Sequence, residues 1–218
     1  KADNNGIIKF NAIHSSAALC VNNFAYFKKH KTKFSFLNLN NFIEASFEKK
    51  LPTGISTPNL DFYLSTQDTI IGVESKFTEF LSPKLSNHGD NLNKYLNRTE
   101  LAYLPDEFGG LIQDYISCED RLFLDVAQLI KHSIGLIRKS LSESVRPMLV
   151  YIYWQPSNWY CYKVYRKHAE EINKFYEEIK HFIQFIPLSY LELWKLYEYD
   201  PLFGEHISKV KERYFISI

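Results

Sequence analysis

Three acidic-x-Lys triplets stand in the chain: Glu48-Lys49-Lys50, Glu74-Ser75-Lys76 and Glu178-Ile179-Lys180. Residues two apart on a strand share a face, so a carboxylate that binds a cation and a lysine that holds water or phosphate can act together there. On a helix they diverge, and Glu178-Ile179-Lys180 lies in a stretch of helical apolar spacing, which makes it a solvated face. Glu48-Lys49-Lys50 ends beside Pro52 with no carboxylate strand before it and reads as surface. Glu74-Ser75-Lys76 ends the β-branched run Ile70, Ile71 and Val73, and Asp61 heads the segment before it. Hairpin pairing would bring Asp61 to Glu74, and two converging carboxylates repel unless a cation sits between them. The plainer reading makes Asp61 a turn residue and Glu74 with Lys76 an exposed ion pair worth about 0–1 kcal/mol.

These residues need elements to hold them. Ser15 or Ser16 can cap a first helix running to Lys29, with Ala18, Leu19, Asn22, Ala25 and Tyr26 at helical spacing. Lys28, Lys29, Lys31 and Lys33 then form a basic cluster suited to nucleic-acid phosphates. Ile43, Ala45 and Phe47 alternate with Glu44, Ser46 and Glu48 as a half-exposed strand. Pro58 to Leu64 and Thr69 to Phe77 follow as a hairpin around Gln67-Asp68. From about 78 to 118 the pattern dissolves into an insert, read as a lid or recognition segment with short helices at most. Glu119 to Leu141 is expected as one helix, with Leu122, Val126, Leu129, Ile130, Ile137 and Leu141 on one face and Asp125, Gln128 and His132 on another. Arg146 to Gln155 reads as a buried central strand. Lys167 to Ile186 reads as an amphipathic helix, and Ser189 caps another through Tyr197, so the part from about 166 onward is expected to be helical. The fold class is α/β: one domain over 1–218, with a central mixed sheet of about four or five strands flanked by helices.

Composition narrows the function classes. The 218 residues carry 26 Lys+Arg against 25 Asp+Glu, so a polyanion must be held by a local patch or through metal ions, not by a global field. No apolar run reaches the ~18 residues of a membrane span, and Lys1 to Phe10 lacks the pattern of a targeting segment, so a soluble cytoplasmic protein is expected. Cys20, Cys118 and Cys161 are too few and too scattered for a disulfide framework or a zinc site and read as core filler. His14, His30, His88, His168, His181 and His206 show no metal-ligand spacing, which disfavours a zinc hydrolase. No G-x-S-x-G elbow, G-x-G-x-x-G turn or P-loop occurs. The aromatic run from Tyr151 to Tyr165 could stack bases but reads first as core.

Asn59-Leu60-Asp61-Phe62 followed by Gly72-Val73-Glu74-Ser75-Lys76 resembles the signature of the PD-(D/E)XK nuclease superfamily, an acid on one hairpin strand and E-x-K on the next. The element order matches that superfamily's core. The segments Ser15 to Asn22, Gln128 to His132 and Leu149 to Gln155 are similar to a bacterial branch of restriction endonucleases, over roughly residues 12 to 195. The resemblance implies a restriction-endonuclease-like fold and hydrolysis of DNA phosphodiesters with Mg²⁺ or Mn²⁺. It implies that Asp61, Glu74 and the Ser75 carbonyl hold the metal, that Lys76 orients or deprotonates the attacking water, and that Gln128 and His132 reach the site. Many members carry a Glu in the leading helix. This chain has Asn22 and Asn23 there, with Glu44 or Glu48 as substitutes. The alternative is the same fold kept as a non-catalytic DNA- or protein-binding module; a homodimer is compatible with either.

Overall fold

The structure, a computed structural model, describes residues 15–87, 91–96 and 99–218. The expectations placed on Lys1 to Phe10, His14 and His88 fall outside those residues. Five strands form the central sheet in the order β1-β2-β3-β6-β7. β1 (Glu44–Lys50), β2 (Asn59–Ser65) and β3 (Thr69–Lys76) are an antiparallel meander, and β6 (Arg146–Tyr153) and β7 (Gln184–Ser189) run parallel to β3. This is the mixed α/β sheet expected of a restriction-endonuclease-like core.

Both faces of the sheet are covered, which is why β3 and β6 read as nearly continuous apolar runs. Ile71, Val73, Val150 and Ile152 point to one core, shared with α1 (Ser16–Lys29), α5 (Tyr190–Tyr197) and α6 (Gly204–Tyr214). Ile70, Leu149 and Tyr151 point to the other, shared with α2 (Asp106–Ser117), α3 (Val126–Glu143) and α4 (Lys163–Ile179). Two segments on either side of α2 in the chain pair as a two-stranded antiparallel sheet, β4 (Lys84–Leu85) with β5 (Arg121–Leu122).

Several boundaries differ from the sequence expectation, each for a local reason. The long helix begins at Val126 because the Asp125 carboxylate caps it, accepting from the Gln128 N–H at 3.2 Å. Leu122 therefore sits in β5, and Leu141 is exposed on the outer side of α3. The helix expected to reach Ile186 stops at Ile179; Phe185 and Leu188 then alternate into the core as β7. Pro187 is tolerated there because β7 is an edge strand. The insert is no loose lid, since α2 buries Phe108, Leu111, Ile112 and Tyr115. Of the three cysteines only Cys20 is core, Cys161 being exposed.

Candidate active site

β2 and β3 pair from Ser65↔Ile70 to Phe62↔Val73, and there the ladder stops. Past that point a side chain replaces the backbone: Asp61 Oδ2 accepts from the Ser75 N–H at 2.7 Å. The fork between the strands thus places a carboxylate beside Glu74. Burial, then the charge of Glu74, pushes the Asp61 carboxyl well above its ordinary range, with Lys76 and the Ser75 N–H opposing.

Glu74 and Lys76 share the face of β3 that looks at α3. Lys76 Nζ lies 2.8 Å from Glu74 Oε1 and donates to Gln128 Oε1 at 2.6 Å. His132 Nε2 approaches Glu74 Oε2 to 2.9 Å from within the helix, fully buried, but out of line for a hydrogen bond, so Oε2 and both imidazole nitrogens have no hydrogen-bond partner. Burial works against the Glu74 charge, but Lys76 and His132 outweigh it and hold the carboxyl down at about 2. Burial likewise opposes the Lys76 charge, and Glu74 overcomes it, leaving the ammonium harder to deprotonate than an ordinary lysine. Ser75, on the opposite face, has its Oγ 2.7 Å from Tyr190 Oη, which ties the strand end to the start of α5.

The structure therefore brings together Asp61, Glu74, Lys76, Gln128 and His132 with the Ser75 backbone. Sequence reasoning put Asp125 on the face of Gln128 and His132 but gave it no role at the site; it caps the start of α3, and its charge reaches Lys76; the spacing Asp-x-x-Gln before an apolar stripe was the available signal of the cap. Sequence reasoning also gave no role to Tyr190, for which the sequence carries no signal. A small, partly open cavity of about 20 Å³, room for one water molecule, is lined by Lys76, Asp125 and Tyr151 together with residues of β4 and β5.

Other candidates lie elsewhere. Asn22 donates to Tyr214 Oη at 2.7 Å and Asn23 accepts from Trp194 Nε1 at 2.7 Å, so both serve the packing of α1 against α5 and α6. Glu44 starts β1 opposite Ser65, at the end of the sheet away from Asp61, and pairs with Lys49 at 2.6 Å. Glu48 is different. The pairs Phe47↔Phe62 and Lys49↔Leu60 flank it, and it holds a left-handed φ of 54°, which only the surrounding strand pairing sustains. Its charge reaches Asp61. Of the basic cluster, Lys31 donates to the Ile43 carbonyl and Lys28 lies 5.3 Å over the Phe47 ring. Ile43 in turn bonds Ser65, so Lys31 also belongs to the end of the sheet away from Asp61.

The fold and this cluster define a restriction-endonuclease-like protein. The family described as Restriction Endonuclease associating with ARP matches residues 3–215, and the chain belongs to it. No curated protein and no solved structure shows significant similarity to the chain. Among the described residues no helix is long and apolar enough to cross a membrane.

Proposed function

We propose that the protein is a metal-dependent endonuclease of PD-(D/E)XK type that hydrolyses DNA phosphodiester bonds. The observation that carries this reading is the convergence of Asp61 and Glu74 at the fork of β2 and β3, with Lys76 on the same strand face as Glu74. A divalent cation fits the residues present. Burial and the Glu74 charge push the Asp61 carboxyl up, a penalty that a cation between the two would remove, and Glu74 Oε2 is a buried acceptor that makes no hydrogen bond. Among the described residues no cluster of three or more His, Cys, Asp or Glu forms a ligand cage. The protein would thus supply two carboxylates and the Ser75 carbonyl, and water and phosphate oxygens would complete the shell, as suits Mg²⁺ or Mn²⁺. Bound there, the ion would polarise the scissile phosphate and lower the pKa of a coordinated water.

The side chains divide the remaining work. Lys76, kept cationic by Glu74, is a poor proton acceptor at neutral pH and acts by orienting water and offsetting charge on the phosphorane-like transition state. Gln128 fixes the direction of the lysine Nζ through its carbonyl oxygen. His132 stands behind Glu74 and sets the carboxylate's position. Glu48, at the exposed rim, is the further acid that α1 does not provide.

The test is cleavage of plasmid DNA with Mg²⁺ or Mn²⁺. Wild type should cut, and Asp61→Asn, which keeps the side-chain shape, should not. Retained DNA binding without cleavage by wild type in either metal would instead support a non-catalytic module.

A further inference from the structure

We propose that the cleft between the C-terminal end of β1 and the flank of α3 is the track for the DNA phosphate backbone; this rests on the nuclease reading above. The cleft, about 350 Å³, is bordered by Lys49, Lys50, Arg138 and Lys139, with Glu143 as its only acid. It starts at a tight contact. A Cβ on Gly135 would stand 2.9 Å from Leu51 Cβ and 3.0 Å from the Leu51 carbonyl oxygen, so helix and strand end touch there and splay beyond it.

Its four cations differ in their partners. Lys49 and Lys139 approach the same buried ring, Tyr63, from strand and helix at 4.8 and 6.0 Å. Each has a carboxylate partner, Glu44 and Glu143, whereas exposed Lys50 and Arg138 make no ion pair with a described residue. In a chain of net charge +1 this is a local cationic groove, the kind of patch a polyanion needs. Its place in the fold also fits. Lys49 pairs with Leu60, the neighbour of Asp61, and Gly135 follows His132 within one helical turn. In the Lys28 to Lys33 segment the charges are engaged otherwise: Lys28 lies over the Phe47 ring and Lys31 is tied to Ile43 at the other end of β1.

The experiment is fluorescence-anisotropy binding of a DNA duplex to the full chain over a salt series, beside cleavage at saturating DNA. Lys50→Glu with Arg138→Glu should raise Kd on the order of 10–100-fold and flatten the log–log salt slope by about 2, since each lost phosphate contact removes roughly 0.9. Lys29→Glu with Lys33→Glu should leave both affinity and slope near wild type. Lys50→Gln with Arg138→Gln, which avoids charge reversal, should flatten the slope by the same amount and covers the case that the Glu variant fails to fold. Wild-type affinity and slope in the folded cleft variants, with cleavage by the wild type intact, would overturn the cleft assignment alone. Loss confined to the Lys29 and Lys33 variant would do the same, whereas a wild type that neither binds nor cuts DNA would overturn the nuclease reading with it.

Discussion

Glu48-Lys49-Lys50 and Glu74-Ser75-Lys76 have the same acid-x-Lys spelling and end neighbouring regions of one sheet, yet they are different chemical objects. β1 is an edge strand and leaves Glu48 in water, while β3 lies between β2 and β6 with α3 above it, so that Glu74 is only 1% exposed. Water screens the first string. Cover deprives the second of solvent and forces its charges to answer one another: Glu74 is held at about 2 and Lys76 is locked as a cation. The motif supplies groups, and the layer above decides what they can do.

The largest expected effect tests that contrast in the chemistry. Glu74→Gln or Lys76→Ala should lower the single-turnover cleavage rate on the order of 10²–10³-fold, as loss of a preorganised charge does. Glu48→Gln, at the rim, should cost at most about tenfold, near 1.4 kcal/mol of barrier. Equal losses from all three would erase the difference between covered and edge strings.

Cover has its own pH signature. His168 of α4 sits under it, with Nε2 2.9 Å from Tyr151 Oη and its ring stacked 4.0 Å from Phe80. Burial lowers its pKa from the usual 6.5 to about 3. The folded state therefore binds fewer protons than the unfolded one between those values. The contribution is intact above pH 6.5 and is lost as pH falls toward 3, on the order of 5 kcal/mol in all and about 1.4 kcal/mol per pH unit. Denaturant melts from pH 7 to 4 should show a shallower acid slope for His168→Gln, and an unchanged slope would mean the imidazole is solvated after all.

Glycine substitutions measure the same cover by volume. Gly72 faces α3 two residues before Glu74, and a Cβ there would stand 2.6 Å from Leu60 Cδ1 and 2.9 Å from Leu136 Cδ1. Gly72→Ala should cost about 1–3 kcal/mol through overpacking, roughly 2–4 °C of Tm for each kcal/mol. Gly110, on the outside of α2, has nothing within 4 Å, so Gly110→Ala should stabilise by about 0.5–1 kcal/mol. A neutral Gly72→Ala would show that α3 can withdraw from β3.

Much of this was legible in the sequence, and the reasons for the rest are physical. Period-two and β-branched runs marked β1, β2, β3 and β6, and the i, i+4 spacing of Gln128 and His132 put both on one helix face. β7 was read as helix because Ile183 and Ile186 continue the apolar spacing of Ile172, Phe175 and Ile179, and only the tertiary fit of a short edge strand separates the two. The insert hid α2 because its buried positions begin after Pro105-Asp106 and are interrupted by two glycines, Gly109 and Gly110, which depress helix propensity. At the site, adjacency of Asp61 to Glu74 followed from hairpin register. The fork that frees Asp61 for the Ser75 N–H, and the left-handed turn at Glu48, follow from strand distortions that no residue type there announces.

The smallest effect belongs to the edge string itself. Lys49 and Glu44 form a 2.6 Å ion pair, with Ser46 also donating to the carboxylate, and both side chains remain part-exposed at 29% and 40%. Burial is the strongest single influence on the Glu44 pKa and raises it, but the bonds from Lys49 and Ser46 with the charges of Lys49 and Lys139 together outweigh it, so the shift is downward. Sign and geometry therefore favour a stabilising pair, but solvent screening and the entropy of two long side chains offset most of the Coulomb gain. A double-mutant cycle of Lys49→Ala and Glu44→Ala, read by chemical denaturation at pH 7, should give a coupling of about 0.2–1 kcal/mol that shrinks in 1 M salt. The same cycle on Lys76→Ala and Glu74→Ala should exceed it and hold up in salt, because those charges are shielded from ions by α3. A salt-resistant coupling above about 2 kcal/mol for Lys49 and Glu44 would mean that β1 is covered too in solution, and the distinction between the two strings would have to rest on Asp61 alone.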